Sequence, residues 1–172
     1  METLQIIGSK REERSYTPDP VPEEAVETIL QAGRIAGSAK NRQTCRFTVV
    51  ASDSSKRSAL ADLVTRPDNL TGAALLIVVS APTDQRWSQF DAGRAVQNMV
   101  LAAWDLGVGS CPNMVTDPDR LRSLLDLNQD EDPMLILSLG YPTRRRDPRR
   151  YEFEGWIERA DRAPLEEISR RV

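Results

Sequence analysis

The side chains best equipped for chemistry in this 172-residue chain are guanidinium groups and amides. Of its 23 basic residues only Lys10, Lys40 and Lys56 are lysine, leaving 20 arginines. A guanidinium is a planar fork that meets carboxylate or phosphate oxygens two at a time. The basic residues gather at Lys10, Arg11 and Arg14, and again at Arg144-Arg145-Arg146 with Arg149-Arg150. Taken alone, the first group reads as a solvated charged turn and the second as a solvated loop with Asp and Glu partners; phosphate or nucleic-acid binding is the alternative. Ser38, Asn41 and Gln43 form a polar cluster whose amides both donate and accept. Alone they read as a loop following a helix.

Several chemistries are excluded. The chain has no histidine. A Ser-His-Asp or Cys-His catalytic pair is therefore impossible, and no Cys/His zinc site can form. Cys45 and Cys111 are too few for a disulfide framework, and Cys111 reads as a small packed residue. The formal net charge of -3 does not advertise a nucleic-acid binder. No apolar run approaches the roughly 20 residues that span a bilayer, and the opening Met-Glu-Thr-Leu does not resemble a secretory signal. A cytoplasmic location is the expectation. An apolar fraction of 40% with nine aromatics is lean for one core, which makes oligomerisation plausible.

The elements that must position these residues follow from periodicity. Residues 20–36 predict a helix, punctuated by Pro20 and Pro22 with Glu23 and Glu24 in its first turn. Residues 46–51 predict a strand and 54–64 a helix. The continuous apolar run at 74–80 suits a strand buried on both faces. Residues 88–106 predict a helix with Val96, Met99, Val100 and Ala103 on one face and Gly107 just past its end. A short strand at 108–111 follows, then a helix started by Asp117-Pro118 and running to Leu125. Residues 134–139 predict another buried strand, and 165–171 a terminal helix. Strands separated by helices indicate a layered α/β or α+β domain covering residues 1–172.

Six stretches in order resemble the FMN-dependent nitroreductase family. They are Lys10-Arg11-Glu12-Glu13-Arg14-Ser15-Tyr16-Thr17 with Pro20-Val21-Pro22, and Ser38-Ala39-Lys40-Asn41-Arg42-Gln43 with Arg46-Phe47. Next come Asp91-Ala92-Gly93 with Gln97-Asn98 and Leu101-Ala102-Ala103, then Gly107-Val108-Gly109-Ser110-Cys111. Leu139-Gly140-Tyr141-Pro142 and Arg162-Ala163-Pro164-Leu165-Glu166-Glu167 complete the series.

The resemblance implies an α+β fold: a three-layer α/β/α sandwich whose central sheet is mixed but largely antiparallel, with an exchanged C-terminal tail over 143–172. It implies a homodimer with FMN at the subunit interface. Lys10, Arg11, Arg14 and Arg162 would hold the phosphate, and Ser38, Asn41 and Gln43 would contact the flavin ring and ribityl chain. Pro112, Asn113 and Met114 would lie against the ring. No side chain is expected to be catalytic and no metal is expected, because flavin carries the redox chemistry. NADH or NADPH would be the reductant, and a nitroaromatic, quinone or similar small molecule the acceptor, in a ping-pong cycle. The alternatives are a relative that uses reduced flavin differently and a degenerate flavin-binding protein. The Arg144–Arg150 run gains a further reading, a site for the 2′-phosphate of NADPH.

Some positions depart from the family pattern. Glu12 stands where serine is common, Asn113-Met114-Val115 where Glu-Gly or Gly-rich residues are common, and Ala160 where a second basic residue is common. Only Ala81 to Trp87 connect the strand at 74–80 to the following helix, where members commonly carry a helical excursion. A more open site, or one roofed by residues 144–156, would follow. If the tail embraces a partner, truncation after Pro142 should weaken both dimerisation and flavin retention; light scattering and flavin absorbance of the truncated protein check this.

Overall fold

The computed structural model describes residues 2–82, 87–144 and 146–172. Most of the short connection after Ala81, and Arg145 of the Arg run, lie outside the described residues. The helices are α1 (Thr3–Ser9), α2 (Glu23–Arg34), α3 (Arg57–Ala61), α4 (Asp68–Thr71), α5 (Ser88–Asp105), α6 (Pro118–Leu125), α7 (Phe153–Glu158) and α8 (Leu165–Ile168). The strands are β1 (Arg46–Val50), β2 (Leu75–Ala81), β3 (Gly109–Met114) and β4 (Asp132–Gly140). The chain forms two compact units, one from Arg11–Arg145 and one from Met1–Lys10 with Arg146–Val172.

In the larger unit the strands lie in the order β1-β2-β4-β3, and each neighbouring pair is antiparallel. The expectation of a mixed sheet is met only by an isolated parallel bridge between Glu12 and Ser110. Every residue of β2 is buried, as its continuous apolar run predicts. Alternate side chains of β2 enter different cores. Leu75, Ile77 and Val79 join Leu137 and Leu139 under Val26 and Ile29 of α2 and Ala92, Met99 and Ala103 of α5. Leu76 and Val78 join Ile136 under Leu60 of α3, Leu70 of α4 and Leu121 of α6. The period of two along a strand thus produces the expected three layers. A Cβ on Gly33 of α2 would come within 2.8 Å of the Met99 side chain, so this small residue lets α2 and α5 approach closely.

The ends of α5 and α6 aim the elements around the cleft described below. Gly107 (φ +77°) takes the left-handed conformation after α5. Its N–H donates to Trp104 O and that of Val108 to Ala103 O, satisfying the last carbonyls and turning the chain directly into β3. At the other end of β3, Asp117 caps α6 by accepting from Arg120 N–H at 3.0 Å.

Some boundaries differ from those the sequence predicts. The helix expected over 54–64 is confined to α3, because Val64 leaves the helical path to form a bridge with Val115. The strand expected over 108–111 extends to Met114, paired throughout with β4. The terminal helix ends at Ile168 rather than 171. Three helices have no counterpart in the sequence reading: α1, α4 and α7. In the smaller unit, α1 and α7 pack through Gly8, where a Cβ would lie 3.0 Å from Phe153 and Trp156. Gln5 Nε2 donates to Tyr151 O at 2.8 Å, and Trp156 Nε1 to Pro148 O at 3.1 Å. None of these three helices is long enough for periodicity to declare it.

No helix among the described residues is long and apolar enough to cross a membrane, and no group of three or more metal-ligating side chains occurs among them. Loss of the Asp117 cap is expected to cost about 1 kcal/mol. Asp117→Ala should therefore lower the urea midpoint without changing the slope of the transition, as followed by circular dichroism.

Candidate functional site

The site is built where the segment after Lys10 runs along the exposed edge of the sheet. Glu13 N–H donates to Ser110 O at 3.0 Å, Thr17 N–H to Tyr141 O at 2.8 Å, and Thr143 N–H to Ser15 O at 3.1 Å. Two glycines make room for it. A Cβ on Gly109 would meet Glu13 at 2.7 Å, and one on Gly140 would meet Tyr16 at 3.0 Å. The Tyr16 phenol then lies buried and donates to the backbone oxygens of Glu13 and Ser138. Burial is the main reason its pKa is pushed well above that of an ordinary tyrosine. With Glu13 and Tyr16 pinned inward, Arg14 remains exposed beside a cleft.

That cleft has a volume of about 560 Å³. It is lined by Arg14, by Thr65, Arg66 and Asn69 around the start of α4, and by Cys111–Met114 of β3. Among the described residues that line it are two guanidinium groups and no carboxylate. Met114 is 67% exposed and provides apolar surface together with Pro112. Asn113 points the other way along the pleat and is buried. Its Nδ2 donates to Cys111 O at 2.9 Å and Ile136 O at 3.1 Å, and its Oδ1 accepts from Asn69 Nδ2 at 2.8 Å.

A second cleft, of about 450 Å³, opens beside the loop after α2. Ser38, Gln43, Cys45, Phe47 and Asp91 are among its walls. Lys40, Asn41 and Gln43 all have left-handed backbones, with φ of 52°, 54° and 52°. Such a conformation in non-glycine residues persists only when surroundings impose it. Here Gln43 N–H donates to Ser38 Oγ at 2.9 Å and Asn41 N–H to Ser38 O at 3.0 Å. The buried carboxylate of Asp91 accepts from Ala39 N–H at 3.0 Å. Burial, aided by Asp91, pushes the Cys45 thiol up, which keeps it protonated and poorly nucleophilic.

The residues singled out in the sequence are therefore distributed. Arg14, Pro112, Asn113 and Met114 meet in the first cleft. Ser38 and Gln43 line the second, with Asn41 between them in the strained loop. Arg11 precedes the parallel bridge at Glu12. Lys10 closes α1, and Arg162 lies in the exposed tail with its guanidinium on Ala160 O; both belong to the smaller unit. Sequence reasoning missed Thr65, Arg66 and Asn69, because α4 is only four residues long. It also missed Asp91 as a loop anchor, although Asp91 opens the Asp91-Ala92-Gly93 stretch.

Comparison with known proteins agrees with this architecture. The profile of the Nitroreductase family matches residues 7–67 and 63–141. A protein of Archaeoglobus fulgidus, provisionally named NADH dehydrogenase/NAD(P)H nitroreductase, is 33% identical over 85% of this chain and 88% of its own. The NADPH-flavin oxidoreductase of Vibrio harveyi is 25% identical over 81% of this chain and 65% of its own. Among solved structures, a nitroreductase family protein of Clostridium difficile superposes with a TM-score of 0.83 at 25% identity, covering 99% of this chain and 98% of that one. A Desulfovibrio desulfuricans structure, provisionally assigned as a nitroreductase and solved in complex with FMN, gives 0.81 at 28% identity over 100% and 98% of the two chains. The chain belongs to the nitroreductase family.

The buried phenol carries a pH signature. Its folded-state pKa lies above the unfolded value near 10. The neutral phenol's contribution to stability is thus fully present below about pH 10 and is lost as pH rises beyond it. Tyr16→Phe should cost about 1 kcal/mol near neutral pH. It should also lose stability less steeply than the wild type above about pH 10, as measured by urea midpoints across the alkaline range.

Proposed function

We propose that this chain is an FMN-dependent NAD(P)H oxidoreductase that works as a cytoplasmic homodimer, reducing nitroaromatic, quinone or similar small acceptors in a ping-pong cycle. The observation that carries this reading is the first cleft: two guanidinium groups, amide side chains and apolar strand surface meet there with no carboxylate among the described lining residues. Its volume of about 560 Å³ is that of an ordinary small-molecule site. The A. fulgidus, V. harveyi and D. desulfuricans proteins support it by name, as a nitroreductase, a flavin oxidoreductase and an FMN complex.

The donor set fits FMN. Arg14 and Arg66 would meet a phosphate dianion with fixed positive charge. Pro112 and Met114 would face the ring, and Asn69 would meet a polar edge of it. Lys10, Arg11 and Arg162 would add to the phosphate charge, as the family resemblance implies. FMN, when bound, supplies hydride and electron transfer. The chain's own residues bind, orient and screen; the absence of histidine costs nothing, since no side chain need shuttle a proton.

The dimer part of the proposal has a specific support. Ser38, Asn41 and Gln43 sit on a rigidly held loop at a different cleft from that of Arg14 and Met114. In this reading the loop serves the partner's flavin, with the tail from residue 143 embracing that partner.

The test is an absorbance spectrum of the purified protein before and after FMN addition and desalting, followed by NAD(P)H bleaching. Flavin bands near one FMN per chain, bleached by reduced nicotinamide, are expected. A protein that stays colourless would return the alternatives: a degenerate protein in which Glu12 and Met114 have cost the cofactor, or a relative that takes reduced flavin as a substrate. Arg14→Ala should weaken FMN binding roughly ten- to a hundredfold, the range for a lost charge-assisted hydrogen bond.

A further inference from the structure

We propose that Asn113 is a positioning residue: it fixes which way round the Asn69 amide stands, so that the first cleft receives a hydrogen-bond acceptor, Asn69 Oδ1. An amide's two ends are alike in shape and opposite in hydrogen bonding, so its partners decide its orientation. Cys111 O and Ile136 O are backbone carbonyls and can only accept. They lie 2.9 and 3.1 Å from the Asn113 amide, and only its Nδ2 can stand there. Ser138 Oγ, at 3.2 Å from Nδ2, can accept there while its own hydroxyl donates to Cys111 O, 3.1 Å away.

The remaining end of Asn113 is therefore Oδ1, which only a donor can meet. Asn69 supplies Nδ2 at 2.8 Å. Its own oxygen must then take the opposite position, on a residue that lines the cleft beside Arg14 and Arg66. Asn69 and Asn113 are 8% and 6% exposed, so water does little to relax the constraint. Reversing Asn69 would set oxygen against oxygen in a buried place, which leaves both unsatisfied. Two guanidinium donors and one fixed acceptor select a ligand that carries an N–H or O–H donor as well as an anionic group.

The binding arm of this inference rests on the FMN reading; the orientation itself does not. The experiment compares wild type, Asn113→Leu, Asn69→Leu and the double variant. Two measurements are made: proton exchange of the Asn69 side-chain amide by NMR without flavin, and FMN affinity by fluorescence titration. Asn69 amide protons should be protected in the wild type and lose protection in Asn113→Leu. FMN should bind roughly three- to tenfold more weakly to Asn113→Leu, the range for one lost neutral hydrogen bond. In the Asn69→Leu background the same change should have less than about a twofold effect, because Asn113 acts through Asn69. Asn113→Ala serves if the leucine variant does not fold. Retained Asn69 protection in Asn113→Leu, or an undiminished effect in the Asn69→Leu background, overturns the proposal. A wild type that binds no FMN overturns the flavin reading instead, and amide exchange alone then decides the orientation.

Discussion

The seating of residues 12–17 against β3 and β4 is the constraint on which the first cleft depends. It requires a buried phenol, Tyr16, bonded to Ser138 O, and two gaps left by Gly109 and Gly140. Any side chain at those glycines would collide with Glu13 or Tyr16. The segment is otherwise a run of charged residues that would prefer water. The burial of Glu13 and Tyr16 is tolerable because the segment's backbone donors find carbonyls on the sheet edge, which also protects an edge strand from pairing with other chains.

From that seating the functional geometry follows. Arg14 is placed by what its neighbours Glu13 and Tyr16 do. The facing wall is equally indirect. β3 arrives at its place because Gly107 turns α5 sharply into it, and its pleat sends Asn113 inward while leaving Pro112 and Met114 outward. A buried amide in that position would be destabilising by itself. It is acceptable because backbone carbonyls of β3 and β4 and the Asn69 amide satisfy it.

The strained loop at 38–43 is a second product of the same logic. Three non-glycine residues with positive φ are held by Ser38 and by the buried carboxylate of Asp91 on α5. The rigidity of α5, fixed by its packing under β2 and β4, is thereby passed to a loop that would otherwise be mobile. In the proposed dimer such rigidity lets one protomer present polar side chains to its partner's cleft without ordering them on binding.

The sequence by itself determined the long elements. α2, α5 and α6 announce themselves by period and caps, and β2 and β4 by unbroken apolar runs, because burial of a regular element leaves a regular imprint. It also determined family membership, through motifs carried in order, and ruled out histidine chemistry by composition. It did not determine α1, α4 or α7, which are too short to carry a period and exist through contacts with distant residues. Nor did it reveal Arg66, Asn69 or Asp91 as site residues. The roles of Asn69 and Asp91 depend on partners 44 and 52 positions away in the chain, Asn113 and Ala39. Hydrogen bonds of that range are decided by how the layers stack, and only the tertiary structure records it.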